Sequence, residues 1–198
     1  MRVRVARLVA AVALIAGSLA AVTTLPAGAN NASQNNSRSN EIRFQLAPST
    51  PAIASCLPKL KATVEVELQT AQKGRDEFEI HASGLPPHQD FTVFLLEMPG
   101  SPFGAAEYIG DFSTNARGSG ANTFKLIVEE AFSSTLVNGT RVRADLNHVG
   151  FWFADPAEDD VCFGPGGGAV TPFDGDNEAG VQVMNSANAL PGAPLPPP

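Results

Sequence analysis

The sequence predicts an all-β domain, an antiparallel β-sandwich of about seven or eight short strands, with a small barrel as the alternative. Three observations lead there. Residues from Leu60 to Thr70 alternate apolar and polar without interruption. Clusters of Gly, Pro, Asn and Asp punctuate the chain at sandwich-like intervals. No stretch carries the periodicity of a long amphipathic helix, and the one helical candidate is a turn or two near Glu129 to Leu136.

The elements follow in chain order. Leu60, Ala62, Val64, Val66 and Leu68 share one face of the first strand, opposite Lys61, Thr63, Glu65, Glu67 and Gln69. Gln72 to Asp76 is a turn, after which Phe78, Ile80 and Ala82 alternate with Glu77, Glu79 and His81, so the two strands read as an antiparallel hairpin. Gly84-Leu85-Pro86-Pro87 breaks the pattern, because proline cannot donate to a ladder. Phe91 to Met98 is apolar on both faces, as a central covered strand requires. A short strand follows from Tyr108 to Ser113. Asn115 to Gly120 reads as a hairpin turn leading into Phe124, Leu126 and Val128. Asn138-Gly139 is a strong hairpin signal before the alternating Val142, Ala144 and Leu146. Val149 to Ala154 adds an aromatic strand, and Gln182 to Met184 a short last one.

The ends differ from this body. Arg2, Arg4 and Arg7 precede an apolar run from Leu8 to Leu19, and Ala27-Gly28-Ala29 supplies the small residues of a cleavage site. Residues 1–29 therefore read as a secretory signal peptide; the run is shorter than the roughly 20 residues that span a bilayer. After cleavage no integral membrane segment is expected. Residues 30–54 read as a disordered linker and residues 185–198, ending in LPGAPLPPP, as a disordered Pro-rich tail, which leaves 55–184 as the folded domain. If one end did pack as a strand, Ile42 to Leu46 would be the segment.

Charge is unevenly distributed. The chain holds 13 Lys+Arg and 20 Asp+Glu, a net charge of −7, which falls to −10 once the three signal-peptide arginines leave. No Lys or Arg occurs after residue 150, where Asp155, Glu158, Asp159, Asp160, Asp174, Asp176 and Glu178 cluster. Such a balance excludes a phosphate-neutralising nucleic-acid partner. The cluster has to be solvated, paired with basic groups or bridged by a cation. Asp174, Asp176 and Glu178 place acidic oxygens at alternate positions of a Gly-containing segment, which makes them a candidate weak calcium site and calcium the one candidate cofactor. The segment departs from the EF-hand template, with Ala179 at its sixth position and Asn185 at its twelfth.

Cys56 and Cys162 are the only cysteines, and in an exported protein they are expected to pair. No catalytic residues are expected. Gly100-Ser101-Pro102-Phe103-Gly104 has the wrong spacing for a nucleophile elbow, and Gly164 to Gly168 lacks the Lys-Ser or Lys-Thr of a phosphate loop and reads as flexible. His81, His88 and His148 show no ligand spacing. Trp152 points opposite to Phe151 and Phe153, so it is either core or an exposed aromatic platform for a sugar ring.

The stretch Ala82-Ser83-Gly84-Leu85-Pro86-Pro87-His88-Gln89-Asp90-Phe91-Thr92-Val93-Phe94, the later Gly110 to Gly118, and Phe151 to Pro156 with Pro172 to Asp176 resemble uncharacterised bacterial secreted proteins with immunoglobulin-like sandwiches. The resemblance spans about residues 60–184 and implies an immunoglobulin-like sandwich without implying an activity. The expected function is a secreted, non-catalytic binding or cell-surface module for an unknown envelope or extracellular ligand. A structural envelope component and a hydrolase using surface carboxylates are the alternatives.

Overall fold

In a computed structural model, which describes residues 40–128, 131–172, 177–186 and 195, ten strands and four short helical turns form an all-β fold. The chain divides into two units, Met1–Asn36 and Ser37–Pro198, and every described residue belongs to the second. The expected signal peptide lies outside the described residues, as do residues 30–39 of the expected linker.

The strands are β1 (Glu41–Pro48), β2 (Lys61–Glu67), β3 (Asp76–Ser83), β4 (Asp90–Leu96), β5 (Ala106–Ser113), β6 (Ser119–Leu126), β7 (Phe132–Val137), β8 (Thr140–Asp145), β9 (His148–Phe153) and β10 (Gln182–Asn185). Eight of them run in the order β5-β4-β9-β10-β1-β2-β3-β6, all antiparallel, and β7-β8 form a separate two-stranded ribbon. β1 is the joint. Its residues 41–46 pair with β2, while Ala47 and Pro48 pair with β10. One strand thus serves two sheets, β1-β2-β3-β6 and β5-β4-β9-β10, whose inner faces share one apolar core.

The alternating faces read from the sequence are the faces that pack. Ala62, Val64 and Val66 of β2 and Phe78, Ile80 and Ala82 of β3 are buried against Phe91, Val93 and Leu95 of β4 and Phe151 and Phe153 of β9. Phe91 lies at the centre of this layer, with its ring 4.9 Å from Phe151 and 5.2 Å from Phe153. Burying a side chain of this size contributes about 1.5–3 kcal/mol. β4 is buried on both faces because Phe91, Val93 and Leu95 enter the shared core while Phe103 and Ala179, from loops, cover Phe94 and Leu96 on its outside.

Four expectations need correction. Residues 41–54 are not linker. Ile42, Phe44 and Leu46 alternate toward the core, and Thr50, whose Oγ1 accepts from Ile53 N at 3.2 Å, caps helix α1 (Pro51–Cys56). The C-terminal limit also moves. Asn185 belongs to β10, and Leu195 is only 1% exposed and donates its N–H to Asn147 O. Asn115 to Gly120 does not join a hairpin, since β5 and β6 lie at opposite ends of the eight-stranded order and the turn arches from one sheet to the other. The helical candidate near 129–136 gives way, from Phe132 onward, to strand β7, because this segment pairs with β8 across Asn138-Gly139. Those two residues adopt φ of 50° and 80°, the left-handed conformation a tight two-residue turn needs.

Candidate functional site

The disulfide sets the geometry of the C-terminal segment. Cys56 at the end of α1 and Cys162 in helix α2 (Asp160–Phe163) are bonded, with Cα atoms 5.5 Å apart. The bond ties the acidic run to the start of the domain. There the carboxylates meet backbone N–H groups. Asp155 Oδ1 accepts from Ala157 N at 2.7 Å, Asp160 Oδ1 from Gly166 N at 2.9 Å, Asp159 Oδ2 from Val181 N at 2.9 Å and Glu158 Oε1 from Asp90 N at 3.2 Å. These side chains act as loop caps. Burial pushes the carboxyls of Asp159 and Glu158 above the usual carboxylate range. The Gly164–Gly168 loop, expected to be flexible, packs against Asp159: a Cβ on Gly168 would sit 2.2 Å from both carboxylate oxygens. Glycine there reflects close approach.

Of the candidate calcium ligands, Asp174 and Asp176 lie outside the described residues and Glu178 is exposed. Among the described residues no three His, Cys, Asp or Glu side chains group as a metal site. The histidines are dispersed. His81 pairs with Glu79 at 3.0 Å on an exposed face, and His88 sits in the proline loop with φ of 55°. His148 Nδ1 lies 3.2 Å from Ser186 Oγ, and burial lowers its pKa.

Trp152 is not an exposed platform. It is 2% exposed, because a second apolar layer forms on the outer face of β4 and β9. Phe94, Leu96 and Trp152 project there, and Phe103 and Ala179 cover them. Phe103 is brought over by a tight loop in which Glu97 N bonds Ala105 O, Met98 N bonds Phe103 O, and the Glu97 carboxylate accepts from Ala105 N at 2.9 Å. The Trp152 ring meets Phe103 and Phe94 edge-on, with centroids 5.0 and 5.3 Å away.

A cleft of about 520 Å³ opens beside this layer, between the end of β1, the 99–103 loop and residues 169–172. Ser49, Ser101, Phe103, Val170, Gln182 and Asn185 line it with Trp152, and no described lining residue is charged. Its amides are fixed in place: Gln182 Nε2 donates to Pro99 O at 3.0 Å, and Asn185 Nδ2 donates to Gln182 Oε1 at 3.0 Å. Trp152 Nε1, by contrast, is buried and has no acceptor among the described residues. Indole N–H groups usually find a partner when buried, so this donor is chemically unusual.

Three features escaped the sequence reading. One is this cleft. Another is Asp76, fully buried, whose Oδ1 accepts from Gln69 N, Thr70 N and Thr70 Oγ1 and whose Oδ2 accepts from Val128 N. The last is an acidic surface far from the C-terminal cluster. Register sets Glu41, Glu67 and Glu77 directly opposite one another, with Glu65 and Glu79 in the next row; Arg43 bonds Glu65 at 2.9 Å and His81 bonds Glu79 at 3.0 Å. Alternation could place each glutamate on the outer face, but only the strand order makes them neighbours. Among the described residues no helix is long and apolar enough to cross a membrane. No protein-family model, curated protein or solved structure matches the chain.

Proposed function

We propose that the protein is a secreted, non-catalytic binding module with an immunoglobulin-like sandwich, and that the cleft beside Trp152 takes an uncharged extracellular or cell-envelope ligand. One observation carries the reading: a cleft of about 520 Å³, within the usual range for ligand sites and with no charged residue in its described lining, is bordered by Trp152, whose buried indole N–H has no acceptor among the described residues. Fixed amides beside apolar rings suit a ligand that offers hydroxyl or carbonyl groups on an otherwise apolar frame, such as a neutral glycan segment. The export signal of residues 1–29 and the disulfide agree with an oxidising compartment.

Trp152 is the only tryptophan, so its fluorescence reports this site without ambiguity. Titrating the exported chain with neutral and with acidic cell-wall saccharides should give a saturable emission change for a neutral member, weakened by Gln182→Ala. An unchanged emission across the panel, or turnover of a generic ester or glycoside by the same preparation, would refute the proposal.

A further inference from the structure

We propose that the β7-β8 ribbon is a membrane-docking hairpin whose tip, Thr135 to Val142, enters the interfacial layer of an anionic lipid bilayer. The proposal is independent of the Trp152 cleft.

The ribbon is anchored at its base and bare beyond it. Ala131 and Ala144 are buried, and Leu146, also buried, donates its N–H to Ala131 O. From Ser134 to Arg143 every residue is exposed. Leu136 is 63% exposed, the most of any large apolar side chain among the described residues, and Val137 and Val142 are 49% and 43% exposed. The register sorts these side chains onto both faces. Leu136 shares one face with Phe132, Ser134, Arg141 and Arg143, whereas Val137 and Val142 share the other with Thr135. A folded partner with a flat surface covers one face of a hairpin and leaves the other wet. A lipid interface closes around the tip and takes up both faces at once.

Charge names the lipid. From Phe132 to Thr140, turn included, there is no charged residue. The charges of β8 are Arg141, Arg143 and Asp145, in that order away from the turn. At about 3.3 Å per residue, Leu136, Val137 and Val142 lie within about 10 Å of the turn, the depth an interfacial segment reaches, while Asp145 stands about 20 Å back. Asp145 takes Arg143, which also lies over the Phe132 ring at 4.1 Å. Arg141 meets no carboxylate among the described residues. It donates to Ser134 Oγ at 2.9 Å and keeps further guanidinium N–H groups for a phosphate. It stands directly opposite Leu136, so its stem can follow the apolar side chain inward while its head reaches back to the phosphate layer. The chain as a whole is acidic, with a net charge of −7, so this cationic tip is a local exception that turns the hairpin toward an anionic surface. Asn138 and Gly139 leave backbone polar groups at the turn, which keeps insertion shallow, since hydrocarbon satisfies neither N–H nor C=O.

The test uses the full exported chain with vesicles of mixed phosphatidylglycerol and phosphatidylcholine, read by flotation. The wild type should float with the mixed vesicles, and roughly fivefold less with phosphatidylcholine alone or at high salt. Leu136→Asp and Val142→Asp, on opposite faces, should each weaken binding by about tenfold or more, and Arg141→Gln by about fivefold, with wild-type circular dichroism throughout. Val161→Asp, at an exposed valine of α2, should leave binding unchanged. An environment-sensitive fluorophore attached to Leu136→Cys or to Val142→Cys should shift to the blue at both positions on mixed vesicles. No flotation at any lipid concentration overturns the proposal, as does flotation that survives both tip aspartates or is equal on phosphatidylcholine alone. A blue shift at only one label also overturns it, by assigning the tip to a surface that covers one face. So does a dimer in vesicle-free sedimentation that Leu136→Asp dissolves, which would assign the tip to a second copy.

Discussion

Replacing Asp76 with alanine tests how much of this sandwich hangs on one buried carboxylate. Asp76 begins β3 and holds three segments together: the 69–70 turn through Gln69 N at 2.7 Å, Thr70 N at 2.9 Å and Thr70 Oγ1 at 2.8 Å, and the chain leaving β6 through Val128 N at 2.8 Å. In Asp76→Ala the Gln69 and Thr70 groups are half-exposed, so water can replace part of what they lose. The N–H of Val128, a residue only 2% exposed, has no such substitute. An unmet buried donor costs about 1–3 kcal/mol, and a hydrogen bond to a charged group contributes about 1.5–3, so a loss of about 3–5 kcal/mol is expected. That is a large part of a stability of about 5–15 kcal/mol. At about 2–4 °C per kcal/mol for a domain of this size, the melting midpoint should fall by about 6–20 °C. Asp76→Asn keeps the Oδ1 acceptor but turns an amide donor toward Val128 N, so its loss should be smaller, about 2 kcal/mol. Urea unfolding followed by circular dichroism gives both values. An alanine variant within about 1 kcal/mol of wild type, or an asparagine variant as damaged as the alanine, would refute the reasoning.

Leu195→Ala should destabilise by about 2–3 kcal/mol in the same assay, because Leu195 is part of the core; an unchanged midpoint would return the whole tail to a dispensable role. Reducing Cys56–Cys162, whose positions are 106 residues apart, should lower stability by about 4–5 kcal/mol in the chain-entropy model, read as the difference between unfolding curves with and without reductant. Asp159 and Glu158 hold a proton more tightly folded than unfolded, since burial raises both. The stability they contribute is present below the unfolded carboxylate pKa and is lost as pH rises through their folded values. Asp159→Asn, compared with wild type in melts from about pH 4 to 7, should therefore gain relative stability as pH rises; a constant difference would remove Asp159 as a titrating group.

The strands with one buried face were legible because their side chains repeat every two residues whatever they pack on. That is why 62–66 and 78–82 occupy the inner faces their alternation indicated, while 91–96, apolar throughout, is buried on both faces. The cysteine pair was legible too, from residue count and the expected export. β1 was harder to see: Ile42, Phe44 and Leu46 alternate, but polar, Ser- and Pro-containing stretches on either side masked three apolar positions, and only pairing with both β2 and β10 gives them a core to enter. The same limit applies to β7, where Phe132 to Val137 carry little local preference and become strand by pairing with β8.

Everything proposed as a site belongs to tertiary structure. Alternation could say that Trp152 faces away from Phe151 and Phe153, but not that Phe103 and Ala179, from distant loops, would cover that outer face and leave a cleft beside it. Composition could count the acidic residues after 150, but not that those of 155–160 would be taken up by backbone N–H groups while five glutamates on β1, β2 and β3 came together instead. The physical reason is common to both. Periodicity is a property of neighbours along the chain and fixes which face a side chain takes, whereas strand order, register and loop crossings decide what that face meets.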